Sequence, residues 1–563
     1  MNVFPYGGGP PISLSKRDYL AGGGEGDVYV KGSTAYKIYH NVHRAIPIGK
    51  IHELAGISDP NVIKPQVALV DKRGTPVGYH MRFVPNTMGL CQLFPKAFRE
   101  RNSLSHDMML KLIRKLQGMI QNIHTASVLV VDLNELNFLA AKDFKTLYGI
   151  DVDSYQTRSY PATAIMASIR DPQVQGYDFT ELSDWFSFAV VSFNMFTGIH
   201  PFKGKHPSIK GMENRMTAGI SVFDPAVRVP KVVYPFDVIP QVYQNWYRAL
   251  FVDHKRAKPP IGLIEAIALL PLIETVSGSI NLEFIKIVKL RNAISHAWSL
   301  GNSTLCIEKA GVFLDQRKLT DAPPASCCMG LCPPNNRPVL AWADKVGAIR
   351  LLDARQDKDI PFTLGVEQLT ECGDRLYVKT LGQIHEIDLV EIGGRIVAGA
   401  VPVANCMENA TRFFPGVVVQ DMIGEMHLTM FPASKMSYTT KIPELKGYRI
   451  VDARGSRNVV MVVGHKRGRY DRLVIRFSSN YKDYDIRVVE GISPMGLNFV
   501  ALETGVVACI TEEETLELFS AKRGNPAVKI INDDSLSGDM ELFEHQGKAA
   551  FWNGNTLYRL KTK

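Results

Sequence analysis

The 563-residue chain has no apolar run long enough to cross a bilayer, for which about 20 consecutive apolar residues are needed. The nearest approaches, 186–199 and 263–273, are too short or are broken by Glu265 and Pro271, so no membrane span is expected and both read as buried helices. No secretory leader is expected, because residues 1–11 are rich in glycine and proline without an apolar centre, and a cytoplasmic protein is expected. The eight cysteines follow no disulfide-framework spacing, which fits a reducing compartment. Cys327, Cys328 and Cys332 cluster in an expected loop beside Pro333 and Pro334, but the second cysteine pair of a zinc site is absent, so they read as structural. Charge of one sign is weak too. The 65 basic and 56 acidic side chains leave a net +9, well short of the basic density a nucleic-acid partner calls for.

What remains is the profile of a folded protein, 45% hydrophobic and 21% charged, and too long for one core, so two or three domains are expected. The two halves differ in texture. Up to about residue 275 short strands alternate with helical patterns such as 107–124 and 184–197. Beyond about 280 helical periodicity nearly vanishes and short β-type runs take over, among them 339–342, 375–379, 416–420, 459–464, 473–477, 506–511 and 549–552. Turn formers such as Cys372-Gly373-Asp374 and Asn553-Gly554-Asn555 bound them. About seven stretches of about 40 residues suit a β-propeller of about seven blades, with a pair of β-sandwiches as the alternative. The last run, 539–560, has too few strands for a blade, and a strand near 282–288 is expected to complete it and close the ring.

Three motifs in the first half carry chemistry. Leu20-Ala21-Gly22-Gly23-Gly24-Glu25-Gly26-Asp27-Val28-Tyr29 is a glycine-rich hairpin whose backbone N–H groups can approach phosphate closely. It leads into Ala35-Tyr36-Lys37-Ile38-Tyr39, a β-type run with a lysine among apolar residues, and a lysine so placed wants an anion. Val130-Val131-Asp132-Leu133-Asn134-Glu135-Leu136-Asn137 sets an aspartate and an asparagine five residues apart on a polar turn. Tyr148-Gly149-Ile150-Asp151-Val152-Asp153-Ser154 is a β-like run ending in two aspartates. Phosphoryl transfer needs a carboxylate for the acceptor hydroxyl and oxygen ligands for Mg²⁺, and these elements supply both.

In this order and spacing, residues 15–275 resemble a divergent eukaryotic-like Ser/Thr protein kinase domain of microbial type, followed by a WD40-like propeller. The resemblance implies an α+β bilobal domain, with an N-lobe over about 15–84 and a C-lobe over about 85–275, after a lead at 1–14 and before an all-β domain at 280–563. It implies that ATP is held by Gly22, Gly23, Gly24, Gly26, Val28 and Lys37, with Glu53 as the ion-pair partner of Lys37. Met81, Phe83 and Val84 fall at the gatekeeper and adenine-binding hinge. Asp132 matches the catalytic aspartate and Asn137 and Asp151 the Mg²⁺ ligands, with Asp153 a candidate further ligand. Asp184 matches the aspartate that braces the catalytic loop, and Arg256 a late arginine of the lobe.

The departures are specific. Val130-Val131 replaces the histidine and arginine before the catalytic aspartate, so dependence on a phosphorylated activation loop (Thr157, Ser159, Tyr160, Thr163) is not expected. Asn134 stands where the family has a lysine for the γ-phosphate, and Arg170-Asp171-Pro172 is the nearest substitute for Ala-Pro-Glu. The expectation is an ATP- and Mg²⁺-dependent protein kinase acting on Ser/Thr hydroxyls, with the propeller recruiting a protein substrate or partner. The alternatives are a nucleotide-binding pseudokinase scaffold and, third, a small-molecule kinase.

Overall fold

In the computed structural model residues 1–162, 165–261, 281–323, 326–494 and 496–563 are described; the expected helix at 263–273 and Thr163 lie outside them. The chain forms two compact units, one built on residues 1–261 and the other on most of 281–563.

The first unit opens with a seven-stranded sheet in the spatial order Ile12–Ser13, Asn2–Pro5, Val67–Val70, Pro76–Arg82, Thr34–Tyr39, Gly26–Lys31, Tyr19–Gly22. Residues 1–14, read from sequence as a lead, thus belong to this sheet: Asn2–Pro5 pairs antiparallel with Ile12–Ser13 on one side and Val67–Val70 on the other. The apolar Val3 and Leu14 are buried, and the terminal ammonium donates to the Leu14 carbonyl at 2.6 Å. Burial of these side chains offsets the ordering of a segment that the Gly7-Gly8-Gly9 run makes look loose.

The rest of the first unit is mainly helical. His106–Thr125 is capped by Ser105, whose hydroxyl accepts from the Met108 N–H, and buries Met109, Leu112, Ile113, Leu116, Ile120 and Ile123 at three- and four-residue intervals. Glu181–Thr197 begins with a Thr180/Ser183 capping box, is buried on nearly every face, and stops at Gly198 in the left-handed region. Between the two helices, Phe138–Ala141 and Leu147–Gly149 pair antiparallel, so Asn137 and Ile150 sit side by side at the open end and the Ile150 N–H donates to the Asn137 carbonyl at 2.9 Å. That hairpin delivers the second and third sequence motifs to one place.

The second unit is all β. Among the described residues it contains seven four-stranded sheets, six of them built from consecutive strands between Ile294 and Asn532. The seventh takes its three strands Glu541–His545, Lys548–Asn553 and Thr556–Thr562 from the end of the chain and its fourth, Leu282–Lys289, from the start of the unit. The register runs antiparallel from Leu282↔Thr562 to Lys289↔Thr556, with an irregularity between Lys286 and Val288. Polar anchors tie successive sheets. The half-buried Glu371 carboxylate accepts from Trp298 Nε1 at 2.8 Å and from the Met329 N–H at 2.6 Å, linking three of them. The cysteine cluster expected in a loop is instead mostly strand: Cys328–Cys332 pairs with Arg337–Ala343, Cys327 and Cys332 are buried, and Cys332 packs with Val339 and Ile349. Both sides of that strand are packed, with Cys327 in one apolar cluster and Cys332 and Cys328 in another.

Candidate functional site

Lys37 sits in the middle of Thr34–Tyr39, a strand hydrogen-bonded on both sides. Glycines flank it. A Cβ on Gly26 would meet the Ile38 carbonyl oxygen at 2.4 Å, and a Cβ on Gly78 would meet the Lys37 carbonyl oxygen at 2.0 Å. Gly26 is therefore fixed by close approach of the neighbouring strand, whereas Gly22, Gly23 and Gly24 are exposed at the hairpin tip. The Gly23 N–H donates to the Gly26 carbonyl at 2.8 Å and so closes the turn. Val28 is half-buried opposite Lys37 in the register.

The Lys37 ammonium reaches Asp151 Oδ1 at 2.8 Å and Asp153 Oδ2 at 2.7 Å. Burial works against the charged form, but the carboxylates of Asp153 and Asp151 outweigh it and hold the ammonium well above the ordinary lysine range. Lys37 is thus a committed cation. Glu53, expected as its partner, lies elsewhere: its carboxylate accepts from the Ser159 N–H at 3.2 Å. The reason is helical phase. The short helix Ile48–Leu54 buries Lys50, Ile51 and Leu54, and at about 100° per residue Glu53 falls to the flank of that face. The residue turned toward the site is Lys50, whose ammonium donates to the Asp153 carbonyl at 2.7 Å.

Asp153, expected as a candidate metal ligand, has both oxygens taken. Besides Lys37, Tyr39 donates to Oδ2 at 2.5 Å and Tyr79 to Oδ1 at 2.9 Å, and the side chain is 5% exposed. The Asp151 side chain, by contrast, is 47% exposed. Asp151 adopts φ +61°, a left-handed conformation that turns its side chain back toward the sheet-borne lysine.

Asp132 and Asn137 meet on the second motif. Asn137 Nδ2 donates to the Asp132 carbonyl at 3.0 Å and to Asp132 Oδ2 at 3.3 Å, which leaves the amide oxygen of Asn137 for another partner. The Met166 N–H donates to Asp132 Oδ1 at 2.8 Å. Burial pushes the Asp132 carboxyl up from the ordinary aspartate value, against the opposing pull of these donors. Asn134 folds back into the loop: its amide donates to the Asp132 carbonyl at 3.2 Å and its oxygen accepts from the Leu136 N–H at 2.8 Å. It braces the turn and takes no outward-facing role.

The loop before Asp132 is strained and held. Val131 has φ +61°, costly for a β-branched side chain. Asp184 secures it from the first turn of Glu181–Thr197, accepting from the Val130 and Val131 N–H groups at 2.8 Å each, with His124 Nε2 at 2.9 Å from the same carboxylate. Farther along, Arg256 grips Asp171 with two parallel hydrogen bonds of 2.7 and 2.6 Å and packs over Phe186. Met81, Phe83 and Val84 are half-buried at the end of Pro76–Arg82, where the Phe83 N–H is committed to the Ser33 carbonyl at 2.8 Å. Sequence reasoning missed Lys50, Tyr39 and Tyr79; the tyrosines at strand positions flanking the lysine were the available signal.

Neither the protein-family models nor the curated proteins contain a match to this chain. Among solved structures, the Cydia pomonella granulovirus kinase PK-1 is similar at 14% identity over 42% of this chain and 86% of its own, with a TM-score of 0.32. At that overlap the likeness carries no functional weight.

Proposed function

We propose that the first unit is an ATP- and Mg²⁺-dependent phosphotransferase of the protein-kinase type, with Ser/Thr hydroxyls of a protein as acceptors. The observation that carries this reading is convergence: Lys37 meets Asp151 at 2.8 Å, while Asp132 and Asn137 hold each other on the adjoining loop. A buried cation paired with a half-exposed acid can exchange that acid for phosphate oxygens without being left uncompensated, because Asp153 stays with it. Asp151 and the free amide oxygen of Asn137 are then the ligands offered to a hard divalent ion. Among the described residues no group of three or more His, Cys, Asp or Glu forms a complete cage, which suits an ion that also takes phosphate and water ligands. Bound there, Mg²⁺ would neutralise charge developing on the β- and γ-phosphates. Asp132 orients the acceptor hydroxyl and takes up its proton as the new O–P bond forms and the bond to the β-phosphate oxygen breaks. The raised Asp132 pKa favours that proton transfer.

In the second unit we read the seven sheets as propeller blades, closed by the pairing of Leu282–Lys289 with Thr556–Thr562, and serving to recruit a protein substrate or partner. A second reading of the first unit, a nucleotide-binding scaffold without transfer, is favoured by one observation: Asn134 turns into the loop where a γ-phosphate cation is wanted. Incubation with γ-labelled ATP and Mg²⁺, with and without generic protein acceptors, separates the two. Label on Ser or Thr supports the transferase; saturable Mg·ATP binding without label supports the scaffold.

A further inference from the structure

The charge pattern around Lys37 differs from what the sequence led one to expect. A buried ammonium needs a buried acid that stays in place. Asp151 cannot be that acid in a loaded site, because the proposed metal competes for it. Glu53 cannot be either, because it is turned to the Ser159 N–H. Asp153 meets the requirement. Its carboxylate is held by Lys37, Tyr39 and Tyr79, and its own backbone carbonyl is fixed by Lys50. Moving Asp153 to a metal would take the buried acid from Lys37, leaving it only the half-exposed Asp151, and would strand two buried hydroxyls, whereas Asp151 gives up only one contact.

We propose that Asp153 is the fixed counter-ion that positions Lys37 for the nucleotide phosphates, with Tyr39, Tyr79 and Lys50 holding Asp153 in place. The inference rests on the phosphotransferase reading for its consequence, though the pairing itself can be tested without nucleotide. Asp153 is a positioning residue: it acts on the phosphates only through Lys37. Alignment of Lys37 is therefore set by the sheet and the Asp151–Asp153 segment, and the Glu53 carboxylate is dispensable for it.

Thermal melting and Mg·ATP calorimetry on the full chain test this together, using wild type, Lys37→Met, Asp153→Asn, Glu53→Gln and the double variants Lys37→Met/Asp153→Asn and Lys37→Met/Glu53→Gln. Without nucleotide, Lys37→Met leaves the Asp153 carboxylate buried and unpaired, so adding Asp153→Asn should raise the melting temperature above that of Lys37→Met alone. Adding Glu53→Gln to Lys37→Met should not. With nucleotide, Asp153→Asn should weaken Mg·ATP about tenfold or more and Glu53→Gln less than about twofold, and Asp153→Asn should add little once Lys37 is gone. Rescue by Glu53→Gln instead, or an equal loss from Asp153→Asn with and without Lys37, overturns the proposal. If Asp153→Asn does not fold alone, Tyr79→Phe decides: weakening of about threefold supports the proposal and unchanged affinity overturns it. Failure of the wild type to bind Mg·ATP sinks the phosphotransferase reading and the positioning role with it. Lys37-dependent binding that ignores Asp153 sinks the positioning role alone.

Discussion

Replacing Asp184 by alanine removes the one side chain that accepts from two consecutive backbone N–H groups of the Asp132 loop, each at 2.8 Å. Val130 and Val131 are almost wholly buried, so neither N–H gains water in exchange. Leaving a buried donor unsatisfied costs about 1–3 kcal/mol, so two orphans cost about 2–6 kcal/mol. His124 loses its partner as well. Val131, released from a backbone conformation that disfavours a β-branched residue, would relax and carry Asp132 with it. Asp184→Asn keeps one accepting oxygen and should lose about half as much. Native-state hydrogen exchange, read on peptides covering 129–137, measures the opening free energy of that loop directly. A loss below about 1 kcal/mol, with amide protection unchanged at Val130 and Val131, would refute the view that Asp184 holds the loop.

Further perturbations probe other parts of the account. His200 is buried, accepting from the Phe202 N–H and donating to the Ser168 carbonyl, and burial, with Lys203 and Arg215 nearby, lowers its pKa from 6.5 to about 3. The stability this neutral ring contributes is full above about pH 6.5 and is lost as pH falls, because only the unfolded chain takes up the proton; by pH 5 about 2 kcal/mol should be gone. Denaturant midpoints between pH 5 and 7 check this, and His200→Gln should flatten that part of the profile. Glu371→Ala orphans the Trp298 and Met329 donors and should cost about 2–6 kcal/mol in denaturant unfolding of the second unit, an effect absent from the first. Gly78→Ala drives a Cβ into the Lys37 carbonyl, pushes Thr34–Tyr39 away from Pro76–Arg82 and should weaken Mg·ATP while leaving a folded far-UV spectrum; calorimetry with circular dichroism reads both.

The legible parts of this molecule were those written in local pattern. The glycine-rich hairpin before Lys37, the polar turn from Asp132 to Asn137 and the run ending at Asp151 each announce themselves over a few residues, and the β texture beyond 280 repeats often enough to anticipate many short sheets. The pairing of a strand near 282–288 with the end of the chain was also readable, because the last run was short of strands. What escaped depended on phase or on distant partners. Seven residues of helix are too few to fix which of Lys50 and Glu53 faces inward, and the answer came from the apolar Ile51 and Leu54 choosing the buried side. The commitment of Asp153 needed Tyr39 and Tyr79, more than 70 residues away in sequence, to arrive beside it. Asn2–Pro5 joined the sheet because an edge was open at Val67–Val70, which no local property of the segment reveals.

The central claim is that Asp132 performs chemistry at a site that Lys37, Asn137 and Asp151 prepare for Mg·ATP. Side-by-side measurement of Mg·ATP affinity and of label transfer from γ-labelled ATP by wild type and Asp132→Asn tests it most directly. The predicted result is affinity within about twofold in the two proteins and transfer slower by about 10²–10⁴ in the variant, the usual loss for a positioned base. Nucleotide binding by the wild type with no more transfer than Asp132→Asn, to itself or to any acceptor, would contradict the claim.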